Sequence, residues 1–134
     1  RLLELGIAPY LIRATLVGVL AQRLVRTLCP ACKVAQPLDM AHWRELDPQA
    51  PLPTATCQAE GCRDCRYTGY RGRTGLFELL PVSPRLREQL SGDVDLANLR
   101  RQARAEGLGS LRTSGAQKVA AGLTTLTEVI RVTA

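Results

Sequence analysis

A chain of 134 residues holds one domain, or one and a fraction. With 46% hydrophobic and 22% charged residues it has an ordinary globular balance, which sets aside a disordered or fibrous chain. No apolar run approaches the roughly 20 residues a membrane span requires. Eighteen Lys and Arg against twelve Asp and Glu give a scattered charge of +6, which suits nucleic acid, an acidic membrane surface or an acidic protein face and selects none of them.

Residues 1–28 read as helical. Pro9 suits a first turn, and Leu11, Ile12, Leu16, Val19, Leu20 and Leu24 recur at helical spacing, with Arg13, Gln22, Arg23 and Arg26 largely between them. Such a stripe needs a body of protein to bury it, so the chain is expected to be part of something longer. Residues 29–72 lack periodicity apart from a short helix over Asp39–Leu46 carrying His42 and Trp43. Pro48, Pro51 and Pro53 make the next segment a loop. Thr74–Val82 has the best strand signal. Ser83 then caps a helix with Pro84 at its first position. Further helices are expected over Asp95–Glu106, stopped by Gly107, and over Ser110–Ala121, stopped by Gly122. A last one starts at Thr125, where Thr125 and Glu128 have capping-box spacing.

The chain has five cysteines, and Cys29, Cys32, Cys62 and Cys65 form two C-x2-C pairs. Each x2 spacing lets a tight turn aim two thiolates at one ion, and the long segment between the pairs becomes a loop that the metal closes. Structural zinc fits this all-sulfur set better than an iron–sulfur cluster, whose cysteines come in tighter runs. Cys57 is a spare that lies close enough in sequence to replace a ligand. His42, the only histidine, reads as a surface residue, since four sulfurs already complete the shell. The same pairs leave open a zinc-ribbon nucleic-acid module and a redox or metal-transfer protein. Scattered charge and few aromatics argue against the first, and the lack of a strand leading into a C-x2-C helix argues against the second. No GxxxxGK[ST] loop, HExxH or GxSxG arrangement is present, so no catalytic residues are assigned and the segment alone is not expected to be an enzyme.

Three long stretches carry a family resemblance: Gly18 to Lys33 (GVLAQRLVRTLCPACK), Gly61 to Leu80 (GCRDCRYTGYRGRTGLFELL) and Gly115 to Thr133 (GAQKVAAGLTTLTEVIRVT). They resemble, in order, the C-terminal part of type II secretion ATPases, the general secretion pathway E proteins, and of their type IV pilus assembly relatives. The wording Arg26-Thr-Leu-Cys29 is closer to the secretion branch. The resemblance implies a fold that is mainly α with a short β element. Helices from the end of a RecA-like ATPase core (1–28) lead to a tetracysteine zinc module (29–72), then to a strand and a small C-terminal helical bundle (73–134). It carries the ligand set over to Cys29, Cys32, Cys62 and Cys65. It implies a cytoplasmic motor, peripheral to the bacterial inner membrane, that is hexameric and binds ATP and Mg(2+) through upstream residues. Its partners would be membrane-platform proteins and neighbouring subunits, with no nucleic acid, and this segment alone would be a monomer. Arg23, Arg26, Arg71 and Arg73 match family arginines that either face nucleotide or a neighbouring subunit, or form structural ion pairs.

Overall fold

The computed structural model describes residues 1–90 and 94–133. The helices among them are α1 (Pro9–Thr15), α2 (Met40–Leu46), α3 (Pro84–Gln89), α4 (Leu96–Ala105), α5 (Leu111–Ala120) and α6 (Leu126–Thr133). The strands are β1 (Gly18–Leu28), β2 (Lys33–Gln36), β3 (Thr56–Ala59) and β4 (Tyr70–Pro81). The expected 73–134 segment takes in residues 91–93 and 134, which lie outside the described residues. The chain forms two compact units, one of residues 1–21 and 78–109, the other of 22–77 and 110–134.

The main correction to the sequence reading concerns residues 18–28, which form strand β1 and not the continuation of a helix. Helix α1 ends at Thr15. Of β1, only Val25 and Leu28 are buried, whereas Leu20 and Leu24 are 57% and 47% exposed. The helically spaced leucines therefore mark no buried stripe. The β-branched residues Val17, Val19, Val25 and Thr27 favour extended backbone, and pairing with β4 decides the outcome. At one end of this ribbon the Cys29 N–H donates to the Gly69 carbonyl (2.9 Å), and at the other the Val82 N–H donates to the Val17 carbonyl (2.9 Å), so the strands run antiparallel. The β signal at Thr74 extends back to Tyr70.

The remaining helix expectations hold. Pro9 sits in the first turn of α1. The Asp39 carboxylate caps α2 by accepting from the Ala41 and His42 N–H groups. The hydroxyl of Ser83 accepts from the Leu86 N–H, and that of Ser110 from the Thr113 N–H. Asp95 caps α4, while Gly107 (φ +92°) and Gly122 (φ +64°) follow α4 and α5 in the left-handed region.

Among the described residues of the first unit the buried side chains are Ile12, Leu86 and Ala103. The Arg87 guanidinium donates to the carbonyls of Arg13 (2.7 Å) and Leu16 (3.4 Å), satisfying groups that α1 leaves open at its C-terminus.

The second unit holds the larger core, with Val25, Trp43, Leu46, Ala50, Leu76, Ala116, Val119, Leu126 and Val129 buried together. Beside it β2 and β3 pair antiparallel in the register Lys33↔Ala59, Val34↔Gln58, Ala35↔Cys57 and Gln36↔Thr56. Helix α5 meets α6 at Gly115, where an added Cβ would lie 2.1 Å from Val129 Cγ1. Alanine gains about 1 kcal/mol over glycine in a helix interior, but overpacking a core costs about 1–3 kcal/mol. Val129 is fully buried and has nowhere to retreat. Gly115→Ala is therefore expected to destabilise the unit by about 1–2 kcal/mol in a urea titration, despite its better helix propensity.

Candidate metal centre

The first cysteine pair sits at the end of β1. The Cys32 and Lys33 N–H groups both donate to the Cys29 carbonyl (3.3 and 3.0 Å), closing a tight turn that brings the two side chains together. The second pair flanks a single 3₁₀ turn over Arg63–Cys65. There the Tyr67 N–H donates to the Cys62 carbonyl (2.7 Å), and Arg66 (φ 55°) and Tyr67 (φ 62°) adopt left-handed backbone. Two glycines make this turn possible. A Cβ on Gly61 (φ +119°) would lie 2.8 Å from the Tyr67 carbonyl oxygen, and one on Gly69 (φ +76°) would lie 2.5 Å from Ala59 Cβ. Both positions combine a left-handed φ with close backbone approach, which only glycine tolerates.

The Cys29–Gly69 ladder bond and the β2–β3 pairing bring the two turns face to face. The Sγ atoms of Cys29, Cys32, Cys62 and Cys65 all lie within 4.8 Å of one another. Cys29 is 3.9 Å from Cys62, Cys32 is 3.8 Å from Cys65, and Cys62 is 3.8 Å from Cys65. A tetrahedral ion with metal–sulfur bonds of about 2.3 Å has sulfur–sulfur edges of about 3.8 Å. The donor set and its spacing thus fit one metal ion and leave no space for a multinuclear cluster.

Backbone donors converge on the sulfurs. The Cys62 and Gly69 N–H groups each donate to Cys65 Sγ at 3.2 Å, and the Cys65 N–H donates to Cys62 Sγ. Burial raises the Cys65 thiol, but the two backbone donors and the neighbouring thiols outweigh it and bring Cys65 down to about 6. Burial pushes Cys32 up to about 12. The opposite shifts of Cys32 and Cys65, whose sulfurs are 3.8 Å apart, mark a pair too close to ionise independently, a conflict that a dication resolves by binding thiolates.

The other candidates lie elsewhere. Cys57 is on β3 opposite Ala35, outside the group of four; its sulfur faces Gly122, whose added Cβ would lie 3.1 Å from it. His42 is exposed, with Nδ1 2.6 Å from the Asp39 carboxylate. Their hydrogen bond raises the imidazole and lowers the carboxyl.

Of the four singled-out arginines, Arg26 is a structural ion-pair residue. Its Nη2 donates to Glu128 Oε1 (2.7 Å), its backbone N–H donates to Glu128 Oε2 (3.1 Å), and its guanidinium lies 3.9 Å above the Tyr70 ring. Arg23 is exposed and donates to the Gln22 carbonyl. Arg71 and Arg73 are exposed, and neither has an ion pair among the described residues.

Sequence reasoning missed the role of Glu128. Its spacing from Thr125 signals a capping box, and the Glu128 N–H does donate to the Thr125 hydroxyl (3.3 Å). The carboxylate turns instead to Arg26 and Arg131. Lys33 was also missed; its Nζ donates to the Gly122 carbonyl (2.8 Å) and ties the first cysteine turn to the end of α5.

Comparison with known proteins follows the same outline. The family model for type II/IV secretion system proteins matches residues 1–131. The chain is similar to the type IV pilus assembly ATPase TfpB of Acinetobacter baylyi, with 43% identity over 98% of this chain and 23% of that protein. It is similar to the type II secretion system ATPase E of Vibrio cholerae, at 44% identity over 99% of this chain and 26% of that protein. The type II secretion system protein E of Pseudomonas aeruginosa is 42% identical over the same shares. The chain thus spans about a quarter of the length of these relatives, which fall in both branches at like identity. No helix among the described residues is long and apolar enough to cross a membrane. With a family model spanning nearly every residue and relatives above 40% identity throughout, the chain belongs to the type II/IV secretion system protein family.

Proposed function

We propose that the chain is the zinc-binding C-terminal part of a cytoplasmic ATPase that powers type II protein secretion, the alternative being type IV pilus assembly. The observation that supports this most directly is the sulfur tetrad of Cys29, Cys32, Cys62 and Cys65, within a chain of this family. Zinc suits a closed, all-thiolate tetrahedral site and needs no open coordination position, so its contribution is structural. The ion would pin the proline-containing 33–61 segment to the end of β1 and the start of β4. The division into the end of a RecA-like core (1–28), a zinc module (29–72) and a C-terminal strand and helical bundle (73–134) belongs to this reading. ATP and Mg(2+) would be held upstream, in a homohexamer peripheral to the inner membrane that engages the membrane platform. The clasp would let the module follow the motor core as a rigid body, converting hydrolysis into motion at the platform.

In the full-length protein, Cys29→Ser is expected to abolish stoichiometric zinc, measured by inductively coupled plasma mass spectrometry, and to reduce secretion or piliation at least tenfold. Retention of both zinc and export would overturn the reading.

A further inference from the structure

The two cysteine turns support their sulfurs differently. In the first, the N–H groups of Cys29, Cys32 and Lys33 go to carbonyls, on Gly69 and Cys29. In the second, three N–H groups go to sulfur. Those of Cys62 and Gly69 donate to Cys65 Sγ, and that of Cys65 donates to Cys62 Sγ. Such bonds weaken steeply as the donor swings off line. The support therefore depends on what fixes the backbone orientation of the donors.

Gly69 has the most demanding position among them. Its N–H meets Cys65 Sγ at 3.2 Å while its carbonyl accepts from the Cys29 N–H at 2.9 Å, so it joins the two turns. It has no side chain of its own to hold this orientation, and glycine backbone is the freest of all. One neighbouring side chain spans it. The Thr68 hydroxyl lies 2.7 Å from the Cys65 carbonyl oxygen and 3.0 Å from that of Tyr70, and it accepts from the Tyr70 N–H (3.3 Å). The Thr68 N–H donates to the same Cys65 carbonyl (3.2 Å). Thr68 thus staples Cys65 to Tyr70, with Gly69 held between them.

Thr68 itself is exposed, whereas Cys65 and Gly69 are buried. Its hydroxyl is therefore not a buried group in need of partners, since water can reach it. Water can replace the bonds but not the geometry they impose on the Gly69 peptide. We propose that Thr68 is a positioning residue of the metal centre: through its hydroxyl it keeps the Gly69 N–H aimed at Cys65 Sγ, so that the Cys62–Cys65 half stands in binding geometry on its own. This rests on the metal reading given above and deepens it. Groups one step out from the ligands, which fix the orientation of the ligands, typically account for 10- to 100-fold in metal affinity.

The test compares the parent, Thr68→Val and Thr68→Ser as full-length proteins loaded with zinc or with cobalt(II). Valine keeps the shape and loses the hydroxyl; serine keeps the hydroxyl. Thr68→Val is expected to release zinc to a competing chelator at least tenfold faster than the parent. Its thiolate-to-cobalt charge-transfer band should move to longer wavelength, because a sulfur that loses an N–H donor gives up electron density more readily. Thr68→Ser should return both readouts close to the parent. The metal-free melting temperature of Thr68→Val should match that of the metal-free parent, which separates positioning from a general loss of stability. A Thr68→Val protein with the parent's release rate and band, or a serine variant that behaves like the valine one, would overturn the proposal. The metal content of the parent is read first. A parent that binds no ion overturns the metal reading and this inference with it, whereas one bound ion per chain and no effect of valine overturns this inference alone.

Discussion

Serine in place of Cys65 is expected to produce the largest loss of stability of any single substitution in the second unit. Cys65 is 6% exposed and accepts from the Cys62 and Gly69 N–H groups. Substitution would remove one of the four sulfurs of the proposed site and disturbs the acceptor on which both donors converge. In small zinc modules binding the ion supplies roughly 10–16 kcal/mol, which is folding free energy wherever the site does not persist in the unfolded chain. Only part of that is at stake here, since the second unit has its own apolar core. A loss of about 4 kcal/mol is expected, on the order of 20 °C in melting temperature for a unit of this size. Chelation of the unsubstituted protein should approach the same value. Cys57→Ser is the control: its sulfur is outside the tetrad, and the cost should stay below about 1 kcal/mol with zinc content unchanged. Thermal melts with and without chelator, alongside metal analysis, check all three. Equal melting temperatures for Cys65→Ser and Cys57→Ser would remove the case for a metal clasp.

The second large effect is expected at Arg26. Glu128 is 2% exposed, and its carboxylate is met by the Arg26 guanidinium, the Arg26 backbone N–H and the Arg131 guanidinium. The two arginine side chains are 51% and 60% exposed. The asymmetry sets the order of costs. Arg26→Leu leaves a buried carboxylate short of its main partner, and is expected to cost about 3 kcal/mol. Glu128→Gln leaves two guanidiniums that water can reach, and should cost less.

The hydrogen bond from Arg26 is the main reason the Glu128 carboxyl is held down to about 2 from 4.5. A depressed folded pKa gives stability that is fully present above the unfolded value and lost as pH falls. The Glu128 contribution should therefore disappear between about pH 4.5 and pH 2. Denaturant titrations across that range should show a shallower decline in Glu128→Gln than in the parent. Parallel declines would show that another group carries the acid sensitivity.

That the four cysteines come together was legible because C-x2-C spacing closes a tight turn that gathers its two sulfurs, and little else in this chain competes for that pattern. Helix ends were legible for the same local reason: Ser83, Asp95, Ser110 and Gly107 act on backbone groups within a turn of themselves. What failed was non-local. The leucines at 16, 20 and 24 match a helical period, but the backbone at 18–28 is settled by β4, a strand more than 40 residues further along. The β2–β3 ladder was missed because four-residue strands carry too little pattern to register. Glu128 was half legible: the capping-box spacing located it, while its partner Arg26 lies 102 residues away and left no local trace.

Trp43 is the sole tryptophan of the chain, and it lies at 1% exposure in the core of the second unit. Its indole Nε1 has no hydrogen-bond partner among the described residues. Intrinsic emission excited at the red edge of the protein band is thus a private channel to one unit, and its native maximum should lie at the short-wavelength, apolar extreme. The first unit contributes only Tyr10 and is silent in that channel. A melt followed by tryptophan emission and one followed by far-ultraviolet dichroism weigh the two units differently. Where the curves separate, the chain unfolds in two steps, and a single midpoint no longer describes it.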